Sequence, residues 1–414
     1  MTQSVQNRLS PAEQGRRLSE ARRSRNLSQD DVAQRLSVSR PTLVAIEKGT
    51  RPVRPDELIL LAKLYGRTVH ELVRSREFVA DFTPMFRIPH AGTGAGVSQD
   101  VVDESVKAFK MACEDYLSLE SIVGSPMPRY TYPDRYELGG VSAHAAAEDA
   151  AMNERSRLNL GLGPLNNLLE TLENEVGLRV FVLPLNEFKI AGIFAYTDQL
   201  GGCILVNGAH PLTRQNWSMA HEYAHFLQDR FKEDITILIE YDRKPKVEQF
   251  ADAFAAGFLM PGAGLRQRFR RIVQSRGDFT VADLCLLADQ YAVSVEAMAR
   301  RLESLGCMQG GTWDNLRSKG FDGSRIRKQL GLQPHPSHRV RLPERYVRLA
   351  VQAFEEENIT ESELMRLLHC SRVEARETVD RLVRPMDVGA SGEQFQLDLD
   401  YGDTLGLAHA ERMG

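Results

Sequence analysis

Three things are missing from this sequence, and each absence removes a class of protein. There is no run of eighteen apolar residues, so no membrane-spanning helix is expected. The opening residues, MTQSVQNRLSPAEQGRR, hold no apolar leader region, so export is not expected and the cytoplasm is the expected compartment. The cysteines Cys113, Cys203, Cys285, Cys307 and Cys370 are odd in number, scattered and without CxxC spacing. That pattern argues against a disulfide framework or a zinc ribbon and leaves reduced, mostly buried thiols.

What is present fits two or three soluble domains with real cores: 414 residues, 42% hydrophobic and 26% charged. The net charge of -4 hides an asymmetry. Up to Arg76 there are fifteen Lys and Arg against eight Asp and Glu, a balance of +7, which leaves -11 on the remainder. A basic head on an acidic body implies that only the head meets a polyanion.

The chain is organised around WSMAHEYAHFLQDR, and within it His221-Glu222-Tyr223-Ala224-His225. Four residues make about one helical turn, so His221 and His225 project from one face and can grip one Zn²⁺. Glu222 then lies beside the open coordination position, where a general base belongs. The pentapeptide alone is also compatible with a satisfied polar patch in a core. A third ligand strengthens the metal assignment. Glu248 opens EQFADAFAAGFLMP, in which Phe250, Ala251, Phe254, Ala255, Phe258 and Leu259 recur at three- and four-residue spacing, until Pro261 and Gly262 stop the helix. Two histidines and one glutamate with a fourth position left for water is a catalytic arrangement rather than a structural one. Asp252, one turn after Glu248, is placed to accept the second ring N–H of a ligating histidine.

HEYAH followed by this second motif resembles the ImmA/IrrE family of gluzincin-like metallopeptidases, from about Leu178 to Pro261. The resemblance implies His221, His225 and Glu248 as metal ligands and Glu222 as the catalytic residue. Tyr223-Ala224 stands where the family often has Leu-Gly, a departure that bears on packing rather than chemistry. Leu178 to Leu183, Ile190 to Tyr196 and Gly202 to Asn207 read as strands. By the same resemblance a substrate backbone is expected along the last of these, at Cys203, Leu205 and Asn207; a plain core sheet is the alternative.

The head reads as helices joined by short turns. Ser28 caps Gln29 to Leu36, and Ser39 caps Arg40 to Lys48 with Pro41 in the first turn and Gly49 as the stop. Helices are also expected over Ala12 to Arg25, Pro55 to Tyr65 and Val69 to Val73. SQDDVAQRLSVSRPTLVAIEKGTRPVRPDELILLAKLYG resembles the XRE/Cro-type DNA-binding domain, which implies a recognition helix beginning at Arg40. On that resemblance Arg40, Pro41, Thr42 and, one turn on, Ala45 lie at base edges, with Ser39 at the helix start in the same DNA-binding set. Gln29 is expected at the backbone or a flanking base, with Lys48, Arg51 and Arg54 on phosphates. A helix-turn-helix used only for protein contacts is the alternative.

The expected fold class is α+β, predominantly α: a five-helix head, a small sheet beside the HExxH helix, and a helical C-terminal region. Expected boundaries are a DNA-binding domain over 1–76, a helical connector over 77–150 interrupted by GTGAGVS, a peptidase core over 151–262, helical subdomains over 263–388 and a loosely held tail over 389–414. Within the fourth segment LADQYAVSVEAMARRL and LMRLLHCSRVEARETVDRL each look like a helix-turn-helix pair, neither of them markedly basic, so protein contact is expected there. His335, His338 and His369 have no second ligand nearby in sequence and are expected at the surface or in packing. Together these features imply a DNA-binding transcriptional regulator that carries a zinc endopeptidase, acts on a repressor- or antitoxin-type partner protein, and forms a homodimer on its operator. The alternative is a non-catalytic regulator or antitoxin with a structural or sensory metal site.

Overall fold

The computed structural model describes residues 10–25, 27–65, 69, 72, 98–127, 130, 132–133, 136, 142–197, 200–230, 236–238, 246–333, 340–383, 386–388 and 394–396. The GTGAGVS interruption up to Val97, His335 and His338, and all of the tail except 394–396 lie outside the described residues. The chain divides into two units, Met1–Val79 and Ala80–Gly414.

In the first unit, capping side chains punctuate the helices. α1 (Pro11–Ser24) starts on Ser10, α2 (Gln29–Arg35) on a capping box between Ser28 and Asp31, and α3 (Arg40–Glu47) on Ser39, which accepts from the Thr42 N–H. α4 spans Pro55–Tyr65, and Val69 and Leu72 beyond it are also helical. Gly49, at φ 70°, ends α3 where a Cβ would stand 2.4 Å from the Pro11 carbonyl oxygen, so only glycine fits. Leu18, Val32, Leu43, Ile46, Leu61 and Tyr65 close the core.

The second unit is built on a four-stranded sheet. β1 (Arg179–Leu183), β2 (Gly192–Thr197), β3 (Gly201–Asn207) and β4 (Thr236–Leu238) lie in the order β1-β3-β2-β4, with β1 parallel to β3 and the other pairs antiparallel. This overturns one expectation. Strand β3 is interior and bonded on both sides, so no substrate strand can add at Cys203, Leu205 or Asn207, all of which are fully buried. Asn207 instead is a clamp: its amide donates to the Glu187 and Ile190 carbonyls while its oxygen accepts from the Leu185 and Ala209 N–H groups. Of the two sheet edges, β1 is occupied where Val182 exchanges backbone hydrogen bonds with Arg341.

Helices cover the sheet. α5 (Gln99–Val123) ends at Gly124 in the left-handed region, and α6 (Ala143–Arg157) follows. The boundary expected between 150 and 151 falls inside α6. Its small residues Ala147, Ala150 and Ala151 are fully buried, because they let the later helix α8 approach closely. A short helical turn at Leu168–Glu170 continues as a π-helical stretch over Thr171–Val176. α7 (Leu212–Asp229) packs on β2 and β3, and α8 (Lys246–Leu259) packs on α6 and α7.

After α8 the described chain is helical: α9 (Gly262–Arg276), α10 (Val281–Gln290), α11 (Val295–Ser304), α12 (Thr312–Ser318), α13 (Gly323–Gln329), α14 (Glu344–Glu355), α15 (Glu361–Leu368) and α16 (Arg372–Val383). The α10–α11 and α15–α16 pairs turn through a single left-handed residue, Ala292 and His369, as the head does at Ser37. A hairpin of β5 (Met386–Val388) and β6 (Gln394–Gln396) then closes the described chain, so the expected loose tail holds a paired strand. Among the described residues no helix is long and apolar enough to cross a membrane.

Candidate metal centre and nucleic-acid interface

The spacing of HExxH and the packing of α8 on α7 bring three side chains to one point. His221 Nε2 lies 3.1 Å from Glu248 Oε2 and 3.2 Å from His225 Nε2, and His225 Nε2 lies 3.4 Å from Glu248 Oε1. Ligands held about 2.0–2.1 Å from a tetrahedral Zn²⁺ stand about 3.3 Å from one another, so the donor set fits that ion in type and spacing. His221 Nδ1 is 3.1 Å from Asp252 Oδ1, the expected outer contact that orients the ring.

Glu222 is fully buried, and neither carboxylate oxygen has a hydrogen-bond partner. Burial pushes its carboxyl up to about 8, helped by the neighbouring Glu248 and opposed by His221. For His221 burial acts downward, but hydrogen bonds to Asp252 and Glu248 and the Glu222 charge outweigh it and hold the imidazole up to about 9. Burial acts to raise Glu248, and the His221 hydrogen bond with the charges of His225 and His221 keeps it low. Three acids around two imidazoles make a site that favours positive charge.

The residue pattern held no hint of Gly192. A Cβ there would stand 2.8 Å from Glu222 Oε1, so the start of β2 can lie against the buried carboxylate only because this residue has no side chain. Nor did it reveal what Tyr223 does in place of the family's leucine. Its ring packs among Phe226, Phe254 and Phe258, and its hydroxyl donates to Glu154, which also receives Arg157 at 3.0 Å and Tyr136 at 3.4 Å. The departure is absorbed by a buried polar network on α6, away from the metal ligands.

In the head, Arg40, Pro41 and Lys48 are exposed at α3, with Arg40 3.5 Å from Asp30. Ser39 and Thr42 share a hydroxyl hydrogen bond of 2.8 Å, and Ala45 is half-buried. Gln29 donates to Glu47 at 2.8 Å. Glu47 also holds Arg22 at 2.7 Å, a buried pair that locks α1 to α3. Arg51, expected on a phosphate, is also engaged within the head. Its guanidinium forks onto the buried Glu57 at 2.9 and 3.0 Å and ties the 50–54 loop to α4.

Fold and site together define a helix-turn-helix head joined to a metallopeptidase-like domain. Residues 18–72 match the family model described as Helix-turn-helix, and residues 173–303 match the one described as IrrE N-terminal-like domain, the Peptidase M78 family. The chain is thus a fusion of an XRE-type helix-turn-helix domain with an IrrE N-terminal-like domain. No curated protein matches it. Among solved structures, ComR from Streptococcus suis aligns at 12% identity over 91% of this chain and 94% of that one, with a TM-score of 0.16, too low to support a shared arrangement.

Proposed function

We propose that this protein is a cytoplasmic, homodimeric transcriptional regulator whose body is a zinc-dependent endopeptidase acting on one partner protein of repressor or antitoxin type. The observation that carries the peptidase role is Glu222, a wholly buried carboxylate with two unpartnered oxygens beside a His₂Glu donor set. His221, His225 and Glu248 would hold the ion, and Asp252 would fix the His221 ring. A bound Zn²⁺ would polarise the scissile carbonyl and make water a better nucleophile. Glu222 would take the proton from that water and hand it to the leaving amine.

An extended substrate would add at the outer side of β4, a sheet edge that no described strand covers. β4 pairs with β2 through Leu238 opposite Gly192, the residue against Glu222. In the head, Arg40 with Thr42 and Ala45 would read bases, and Lys48 would hold a phosphate. The exposed apolar side chains Ile59 and Leu60, 48% and 50% accessible, with Val69, supply a face suited to a second copy.

A second role, a structural or sensory metal site, is favoured by how deeply His221, Glu222 and His225 are buried. One experiment separates the two. Glu222→Gln should keep zinc bound while slowing cleavage of the co-expressed neighbouring gene product by about 10²–10⁴-fold. Unchanged cleavage with zinc still bound would end the peptidase role.

A further inference from the structure

The chain after Arg76 is acidic as a whole, but not throughout. Residues 262–333 hold twelve Lys and Arg against seven Asp and Glu, a balance of +5. All of that excess sits in α9, whose fifteen residues GAGLRQRFRRIVQSR carry five arginines and no acid. Two of the five are engaged: Arg268 donates to Gln290 at 3.0 Å and lies over the Tyr291 ring, and Arg276 pairs with Asp283. Arg266, Arg270 and Arg271 are exposed, and among the described residues none of them has a hydrogen bond or an ion pair. Exposed arginines on other helices of the body are laced with an acid one turn away, Arg300 with Glu296 at 2.9 Å and Arg348 with Glu344 at 2.5 Å. On α9, Arg266 and Arg270 stand one turn apart and repel, and no carboxylate of the helix offsets them.

The spacing gathers these side chains into one stripe. Arg266, Gln267, Arg270, Arg271 and Gln274 recur at i, i+1, i+4, i+5 and i+8 and are all exposed, so this face offers hydrogen-bond donors and no acidic or large apolar side chain. The opposite side is fixed: Leu265 is buried, Phe269 packs on Phe279 at 4.7 Å, and Gly264 has no room for a Cβ against the Leu162 carbonyl. A protein partner needs an apolar centre to bury, and this face has none. A phosphate backbone needs only donors and positive charge, and a guanidinium meets a phosphate through two parallel hydrogen bonds. From Arg266 to Arg271 is about 7.5 Å along the axis, over which one DNA strand presents about two phosphates.

We propose that α9 is a second DNA contact of this protein, laid on the phosphate backbone through Arg266, Arg270 and Arg271 and blind to base sequence. It extends the DNA-binding part of the proposed function and is independent of the metal centre. Such a contact adds affinity without adding specificity, because phosphates carry no sequence information. It also makes binding steeper in salt, since each neutralised phosphate releases counterions.

The full chain is titrated with a mixed-sequence DNA duplex over a range of salt, and the steepness of log affinity against log salt is read. Arg266→Gln, Arg270→Gln and Arg271→Gln together should lower that steepness by about 2.7 units, since each phosphate contact contributes about 0.9. Lys at the same three positions should preserve it, because the charge carries the effect. Arg300→Gln removes an arginine already held by Glu296 and Asp314 and should leave it unchanged. Unchanged steepness in the triple Gln variant overturns the contact, as does binding of polyglutamate, and not of duplex, through the same three arginines. A loss in the triple variant with none in Lys48→Ala keeps α9 and removes the phosphate contact of the head; a loss in Lys48→Ala alone keeps the head and removes α9. No duplex binding at any salt overturns both.

Discussion

Glu47 and Glu57 in the head are buried with partners, as Glu154 is in the body, whereas Glu222 in the body is buried without one. Glu47 in the head is held by Arg22 and Gln29, and Glu57 is held by both arms of Arg51. Glu222 in the body has no hydrogen-bond partner on either oxygen. A buried charge that is paired holds elements together, whereas one left unpaired costs stability and persists where chemistry needs it. On the proposed function, the difference separates a residue that builds from one that acts.

Breaking the paired side should give the largest loss of stability. Arg22→Ala leaves Glu47 buried without its cation and should cost about 3 kcal/mol in denaturant unfolding of the head. The unpaired side should behave otherwise. Gly192→Ala would force the Glu222 carboxylate to shift; the proposed peptidase activity should fall while the metal content found by metal analysis stays unchanged. If activity were kept, Gly192 would have no part in placing Glu222.

In the set proposed to face DNA the expected effects are smaller. Arg40→Ala should weaken specific binding by about 1–3 kcal/mol, and an unchanged footprint would remove Arg40 from the groove. Lys48→Ala should lower the salt slope of binding by about one unit, whereas Arg51→Ala should leave that slope alone and lower the melting temperature of the head. A pH series sharpens the same contrast. Burial acts to raise the Glu47 carboxyl, but hydrogen bonds from Arg22 and Gln29 and the Arg22 charge hold it low in the folded head. Below the ordinary carboxylate range the unfolded chain therefore binds the proton first. The contribution of Glu47 is present above that range and is lost as the pH falls through its lowered folded value; Glu47→Gln should flatten that part of the profile.

Much of the fold was legible because short-range rules fix it. The caps at Ser28 and Ser39, the stop at Gly49 and the stripe Phe250, Phe254, Phe258 each act within a turn or two of helix. α6 was missed because its buried face is alanine, which gives little hydrophobic periodicity to read. β4 was missed because three residues are too few for an alternation to register. The place of β3 could not be read at all: Gly201–Asn207 is apolar enough for an interior or a half-covered strand, and only its pairing with β1 and β2 decides which.

The sequence by itself determined that His221 and His225 share one helical face, that Glu222 is adjacent, and that Glu248 and Asp252 lie one turn apart on another helix. Those are consequences of helical periodicity, a local property of the backbone. Only the tertiary structure decided that Glu248 comes within 3.1 Å of His221, that Gly192 lies against Glu222, and that Arg51 is turned onto Glu57. Each depends on how separate elements pack, a balance of burial and pairing that no local pattern encodes.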